Sequence, residues 1–189
     1  MRSGAGGEPV PGPEAPPRTL RLFFALWPPP EIARALHAWA LGVQRRSGGR
    51  VVPAAAIHLT LAFLGEVPAG RLALALEAAG AVRFAAHEIP IETACAWPHR
   101  AIVWAGPRET PQPTAALVEH LRLALAARGF EIEKRPFAAH VTLVRRAHPR
   151  SALPPLAPLA WPVGEFALVR SRLSTRGADY EPLARFAAR

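Results

Sequence analysis

Two tetrapeptides repeat one another: His58-Leu59-Thr60-Leu61 and His140-Val141-Thr142-Leu143. Each sets an imidazole two residues from a hydroxyl. Two such pairs turned toward one volume hold what cleavage of a phosphodiester without a metal requires. One imidazole takes a proton from the attacking water, and the other protonates the departing ribose oxygen. Histidine suits both tasks because its ordinary pKa of about 6.5 lies near neutrality. The hydroxyls of Thr60 and Thr142 can donate to the non-bridging phosphate oxygens. An arginine could neutralise their charge, and Arg145 and Arg146 directly follow the second motif.

A strand presents alternate residues on one face. His58, Thr60 and Ala62 then share one side, with Ile57, Leu59, Leu61 and Phe63 on the other. His140, Thr142 and Val144 repeat the arrangement, backed by Ala139, Val141 and Leu143. Parity puts Arg146 on the His140 face; a bulge would put Arg145 there instead. Zinc is the sharpest rival, but no Asp, Glu or Cys lies beside either motif to complete a site, so no metal is expected. No nucleophile elbow supports a serine triad. Cys95 is the only cysteine, which excludes an internal disulfide, and nothing near it marks an activated thiol. His37 and His120 are expected on the surface, and His87, His99 and His148 in loops or at strand edges. His99-Arg100 is a candidate for touching substrate. Phe23, Phe24, Trp39, Phe63 and Trp104 read as core; Trp97, Trp161 and Tyr180 read as core or as platforms for a base.

The elements that must position these groups follow from the pattern. Thr19–Leu26 is an apolar run ended by three prolines and reads as a buried strand. Glu31–Val43 reads as a helix opened by Pro30. Ile57–Leu64 carries the first motif and His140–Val144 the second. Leu72–Ala81 and Ala115–Arg128 are helices, the latter with Leu117, Val118, Leu121 and Leu125 inward and Gly129 closing it. Glu88–Thr93, Arg100–Ala105, Phe130–Lys134 and Phe166–Leu173 read as strands. Residues 149–162 read as an irregular, proline-rich connection, and Gly177 as a turn. This is an α+β pattern. The motifs lie about half of the ordered chain apart, each after a helix, which predicts two similar halves facing each other.

The 189 residues suffice for one domain, and half of them are hydrophobic. Lys and Arg outnumber Asp and Glu by 23 to 14, and Lys134 is the only lysine. The arginine fork suits phosphate oxygens, so a basic chain favours an anionic partner such as nucleic acid. A compositional bias toward Arg, Ala, Pro and Gly would produce the same excess, so charge alone does not decide. No apolar run reaches the length of a membrane span, and no apolar segment after Arg2 makes a secretory signal. Residues 1–17 are rich in Gly and Pro and read as a disordered tail. Residues 18–189 are expected to form a single bilobal domain, a cytoplasmic monomer with no cofactor and no membrane partner.

The pattern resembles the 2H phosphoesterases, specifically the bacterial and archaeal RNA 2′,3′-cyclic phosphodiesterases, also called 2′-5′ RNA ligases. The likeness extends over roughly residues 19–189. Arg21 through Leu26 resembles the family's opening strand, and Ile57 through Glu66 its first motif almost throughout. Ala101 through Gly106 resembles a strand ending in Trp. His140 through Arg145 follows His-x-Thr-Leu-x-Arg, which points to Arg145. Ser171-Arg172-Leu173, Gly177 and Tyr180-Glu181 resemble a C-terminal signature. The family often has Pro just before the second histidine, where this chain has Ala139. Some members carry a basic residue one position earlier, where this chain has Ala138.

The resemblance implies a bilobal fold of two antiparallel sheets around a central cleft, with helices outside. It implies hydrolysis of RNA 2′,3′-cyclic phosphate ends to 2′-phosphomonoesters, with His58 as proton donor and His140 as proton acceptor. Thr60, Thr142 and Arg145 would bind the phosphate. The reverse reaction would join RNA ends through a 2′-5′ linkage. The residues by themselves do not assign acid and base. The alternatives are a non-catalytic module that binds RNA ends, and a phosphodiesterase for 2′-5′ oligonucleotides or small cyclic nucleotides.

Overall fold

The computed structural model describes residues 18–174 and 177–189. The tail at 1–17 and residues 175–176 lie outside the described residues; Gly177, read from the sequence as a turn, begins the last strand opposite Ser174. The described elements are, in order, β1 (Thr19–Leu26), α1 (Pro30–Ser47), β2 (Arg50–Val51), β3 (Leu59–Pro68), α2 (Leu72–Gly80), β4 (His87–Ile91), β5 (Thr93–Trp97), β6 (Ile102–Gly106), α3 (Gln112–Ala126), β7 (Val141–Arg145), β8 (Leu159–Val163), β9 (Glu165–Ser174) and β10 (Gly177–Ala187). None of these helices is long and apolar enough to cross a membrane.

The main sheet runs β10-β9-β1-β3-β7-β6-β5, with β2 also paired to β7, and every pairing is antiparallel. It consists of two four-stranded halves. One is β10, β9, β1 and β3; the other is β7, β6, β5 and β2. The halves meet at a single pair, Leu59 opposite Val141. β4 and β8 form a separate two-stranded sheet. The helix between β1 and β3, α1, packs against β7, and the helix between β6 and β7, α3, packs against β3. Each half therefore lends its helix to the motif strand of the other. A single core cluster runs through both halves, from Leu22, Phe24 and Leu36 to Leu117, Leu121, Val141 and Leu143.

The apolar periodicity accounts for the helices. Ile32, Leu36, Ala40 and Val43 form the buried stripe of α1, and Pro30 occupies its first turn, where the missing N–H leaves no bond unmade. Leu117, Val118, Leu121 and Leu125 are the buried face of α3. Two elements run against the sequence pattern. Phe130–Lys134 forms no strand: Phe130 and Ile132 meet their apolar pattern by packing on the core, and the segment joins neither sheet. Most of 149–162 is irregular as expected, but Leu159–Val163 pairs with β4. β5 and β10 carry little sequence signal. β10 contains Pro182, which suits only an edge strand or a bulge, and β10 is an edge strand whose register shifts between Pro182 and Ala184.

Candidate active site

The histidines stand one residue before their ladders begin. A 3₁₀ turn at Ala54–Ala56 leads into His58, whose Nδ1–H donates to the Ala56 carbonyl at 2.7 Å. His140 repeats this on the Ala138 carbonyl at 2.8 Å. A carbonyl only accepts, so Nδ1 of each ring carries the hydrogen. Nε2 is then the nitrogen that takes and gives protons in both rings. The backbone before His140 is fixed from the side as well. The Ala139 N–H, which a proline at this place would lack, donates to the Thr110 hydroxyl at 3.0 Å.

Both motifs bulge at the same residue. Along β3, Thr60 pairs with Ala25 and Ala62 with Phe24, leaving Leu61 out of register. Along β7, Thr142 pairs with Trp104 and Val144 with Val103, leaving Leu143 out. Leu61 and Leu143 turn into the core. One extra residue reverses the alternation beyond it. The fifth residue counted from each histidine thus returns to the cleft: Phe63 in the first motif, Arg145 in the second. Phe63 is 46% exposed and is not the core residue that simple alternation predicts. Arg145 lines the cleft; Arg146 lines none of its cavities and sits at a left-handed φ of 55°. Gly49 is required opposite this turn: its φ is 85°, and a Cβ there would lie 2.5 Å from the Arg145 carbonyl oxygen.

The cleft is a chain of three cavities. The central one, about 390 Å³, brings together His58, Thr60, His140, Thr142 and Arg145, with Arg50 and Tyr180. A second, about 510 Å³, extends on the His58 side past Phe23, Arg21 and Ser171. A third, about 300 Å³, extends on the His140 side past Trp97, His99 and Arg100. Thr60 lines all three. All five residues expected to do the chemistry therefore meet in one volume.

Several aromatics act differently from the sequence expectation. Phe23, Trp27 and Tyr180 each lie 5.1 Å from the His58 ring, with Trp27 stacked on it. Trp97 lies 4.8 Å and Trp104 6.3 Å from the His140 ring. Phe23 is buried, yet in a small cluster with Ala25, Ala167 and Val169 that is separate from the main core. Trp104 is half-buried beneath His140 rather than in the core. Trp39 is half-buried, its Nε1–H donating to the Pro155 carbonyl, while Phe24 and Trp161 are core residues. Sequence reasoning misses Trp27, although it continues the alternation of Phe23 and Ala25 beyond the end of β1. Its indole N–H donates to the Ala55 carbonyl at 3.1 Å and so ties β1 to the turn before His58. Tyr180 reaches the site because it pairs with Ser171 in the β9–β10 hairpin, next to Glu181, which bridges Arg170 and Arg172.

The remaining histidines lie elsewhere or at the margin. His37 is half-buried, not on the surface, and donates to the Val52 carbonyl. His87 pairs with the Thr114 hydroxyl, and His120 and Cys95 are exposed. Among the described residues, no group of three or more His, Cys, Asp or Glu is placed to hold a metal ion.

Burial pushes the His58 pKa down to about 4, helped by the charges of Arg145 and His140 and opposed by the bond to Ala56. Burial also lowers His140, helped by Arg100 and opposed by the bond to Ala138. Both imidazoles are therefore mainly neutral at pH 7 before an anion binds.

The LigT-like phosphoesterase family matches residues 26–104. The RNA 2′,3′-cyclic phosphodiesterase of Escherichia coli is 35% identical over 168 residues, spanning 88% of this chain and 96% of that protein. The protein of the same name from Thermus thermophilus is 36% identical, spanning 90% and 91% of the two. The crystal structure of E. coli LigT complexed with 3′-AMP superposes with a TM-score of 0.82 at 34% identity, covering 90% of this chain and 99% of that one.

Proposed function

This chain belongs to the LigT-like phosphoesterase family, and we propose that it hydrolyses 2′,3′-cyclic phosphate ends of RNA to 2′-phosphomonoesters without a metal. One observation carries the reading. Two Nδ1-anchored histidines, two threonines and one arginine line a single cavity. The names of the E. coli and Thermus relatives support the substrate class. The relatives' structures with 3′-AMP and with phosphate fit a nucleotide-phosphate site.

His140 takes the proton from water as the water attacks phosphorus. The P–O3′ bond breaks, and His58 gives its proton to O3′, leaving the phosphate on O2′. Thr60, Thr142 and Arg145 hold the non-bridging oxygens, whose charge grows in the transition state. A donor must arrive protonated, and His58 is held low in the free protein. A phosphodiester anion beside Arg145 cancels that guanidinium's repulsion and favours the imidazolium. Binding should therefore bring the proton with the substrate. The same groups acting on a 5′-hydroxyl in place of water would join it to the cyclic phosphate, giving a 2′-5′ linkage. We place the protein in the cytoplasm, acting as one monomeric domain with no cofactor.

The test is product analysis over a panel: RNA ending in a 2′,3′-cyclic phosphate, 2′-5′ oligonucleotides, and cyclic mononucleotides, each with and without EDTA. The expected result is a 2′-phosphomonoester from the first substrate, at a rate EDTA leaves unchanged. Binding of that RNA with no product over long incubation would make the protein an end-binding module instead.

A further inference from the structure

Hydrolysis leaves the third cavity without a task. It opens at Thr60 and His140, excludes His58 and Arg145, and is walled by Phe63, Trp97, Arg100, Arg122, Arg135 and Phe137. In-line displacement puts the attacking and leaving oxygens on opposite sides of phosphorus. With His58 serving the leaving O3′, the ribose that carries the cyclic phosphate lies on the His58 side. The cavity behind His140 is then the approach of the nucleophile. Water needs only about 10–15 Å³ of such space, and the cavity holds about 300 Å³.

Its walls fit a nucleotide. Trp97, Phe63 and Phe137 line it, and aromatic rings are platforms on which any base can stack. The Arg100 guanidinium lies 5.5 Å from the Trp97 ring and that of Arg122 lies 6.0 Å from the Phe137 ring. Nε of Arg122 is buried with no hydrogen-bond partner, and its Nη1 donates to the Arg135 carbonyl at 3.4 Å, so the guanidinium keeps N–H donors for an anion's oxygen. The one carboxylate of the wall, Glu133, is already paired with Arg135. The segment expected as a strand at 130–134 supplies part of this wall in irregular form.

We propose that this cavity seats the 5′-terminal nucleotide of a second RNA strand, so that its 5′-hydroxyl stands where water otherwise attacks. The proposal rests on the acid and base roles given above. The 5′-oxygen bonds to phosphorus and its proton passes to His140. The P–O3′ bond breaks and O3′ takes the proton of His58. Phosphorus keeps O2′ and gains O5′, and no other reactant is consumed. The ratio of strand joining to hydrolysis is set by this cavity, whereas hydrolysis needs only the other two.

The experiment compares the wild type with Arg122→Gln and Phe137→Leu, each checked for an unchanged melting temperature. Phe137→Leu keeps the apolar wall if the arginine variant folds poorly. One arm mixes RNA bearing a 2′,3′-cyclic phosphate with excess 5′-hydroxyl RNA and measures joined against hydrolysed product. The other arm follows hydrolysis of the same cyclic-phosphate RNA with no acceptor present. Each variant should lower the joined-to-hydrolysed ratio by about tenfold, the value of one lost stacking or phosphate contact. Hydrolysis without acceptor should stay within about twofold of wild type. The proposal falls if saturating acceptor yields no joined product in the wild type, or if the variants slow both arms equally. A wild type that forms no 2′-phosphomonoester from the RNA alone overturns the hydrolase reading itself, and this proposal with it.

Discussion

The His58 and His140 regions hold their rings in the same way. In each, Nδ1 donates to the carbonyl two residues back, a leucine bulges out three residues on, and aromatic rings flank the imidazole. They part at the residue that the bulge returns to the cleft. In the first half it is Phe63, whose ring lies 4.8 Å from the Arg21 guanidinium. In the second it is Arg145, which acts on the ring of the opposite half, since its charge helps to hold His58 low. Symmetry in the scaffold thus places two similar imidazoles, each lowered mainly by burial, and the halves differ in the guanidinium that adds to it: Arg145 for His58 and Arg100 for His140.

The comparison breaks most visibly at the histidines. His58→Ala and His140→Ala should each lower kcat by about 10²–10⁴-fold, and the double variant should lose far less than the product of the two. Single-turnover assays measure this, and full activity in either single variant would refute the two-histidine site. Arg145→Ala should lower kcat/KM by about 10²–10³-fold, while Phe63→Ala should cost about tenfold at most. Equal losses at the two positions would erase the proposed asymmetry.

pH sharpens the same point. The reactive form carries one proton on the histidine pair, and both rings titrate below the ordinary 6.5. Above pH 7, kcat/KM should therefore fall about tenfold per unit as that proton is lost. In Arg145→Ala the fall should move to higher pH, because the charge depressing His58 is gone. Stability reports the same shift. A histidine lowered in the fold contributes stability that is present above pH 6.5 and lost as pH falls toward about 4. Urea titrations should show His58→Ala losing less stability than wild type between pH 7 and 4. The smallest effect belongs to Arg146, the neighbour that faces no cleft cavity. Arg146→Gly should relieve its left-handed backbone and raise stability by up to about 1 kcal/mol, with activity unchanged.

Much of this was legible before folding. The tetrapeptides, the strand at Thr19–Leu26 and the inner face of α3 follow from periodicity alone, because burial selects apolar residues at fixed spacing. The bulges do not. Leu61 and Leu143 look like ordinary inward leucines, and only cross-strand register shows that they reset the alternation. That single effect accounts for Phe63 facing the cleft and for the choice of Arg145. Trp27, Tyr180 and Trp104 are obscured for a related reason. Their neighbours come from distant strands, and an aromatic beside a histidine reads locally like any core residue.

The exchange of helices between the halves bears on how such a chain could arise and be divided. Each histidine strand is backed by a helix from the opposite half, α3 under β3 and α1 under β7. A fragment holding one motif would expose the underside of its own motif strand and deprive its helix of that packing. Two copies of a half could satisfy each other by trading helices, as swapped dimers do. Here one continuous chain makes that trade, and unfolding either half withdraws the support beneath the histidine of the other.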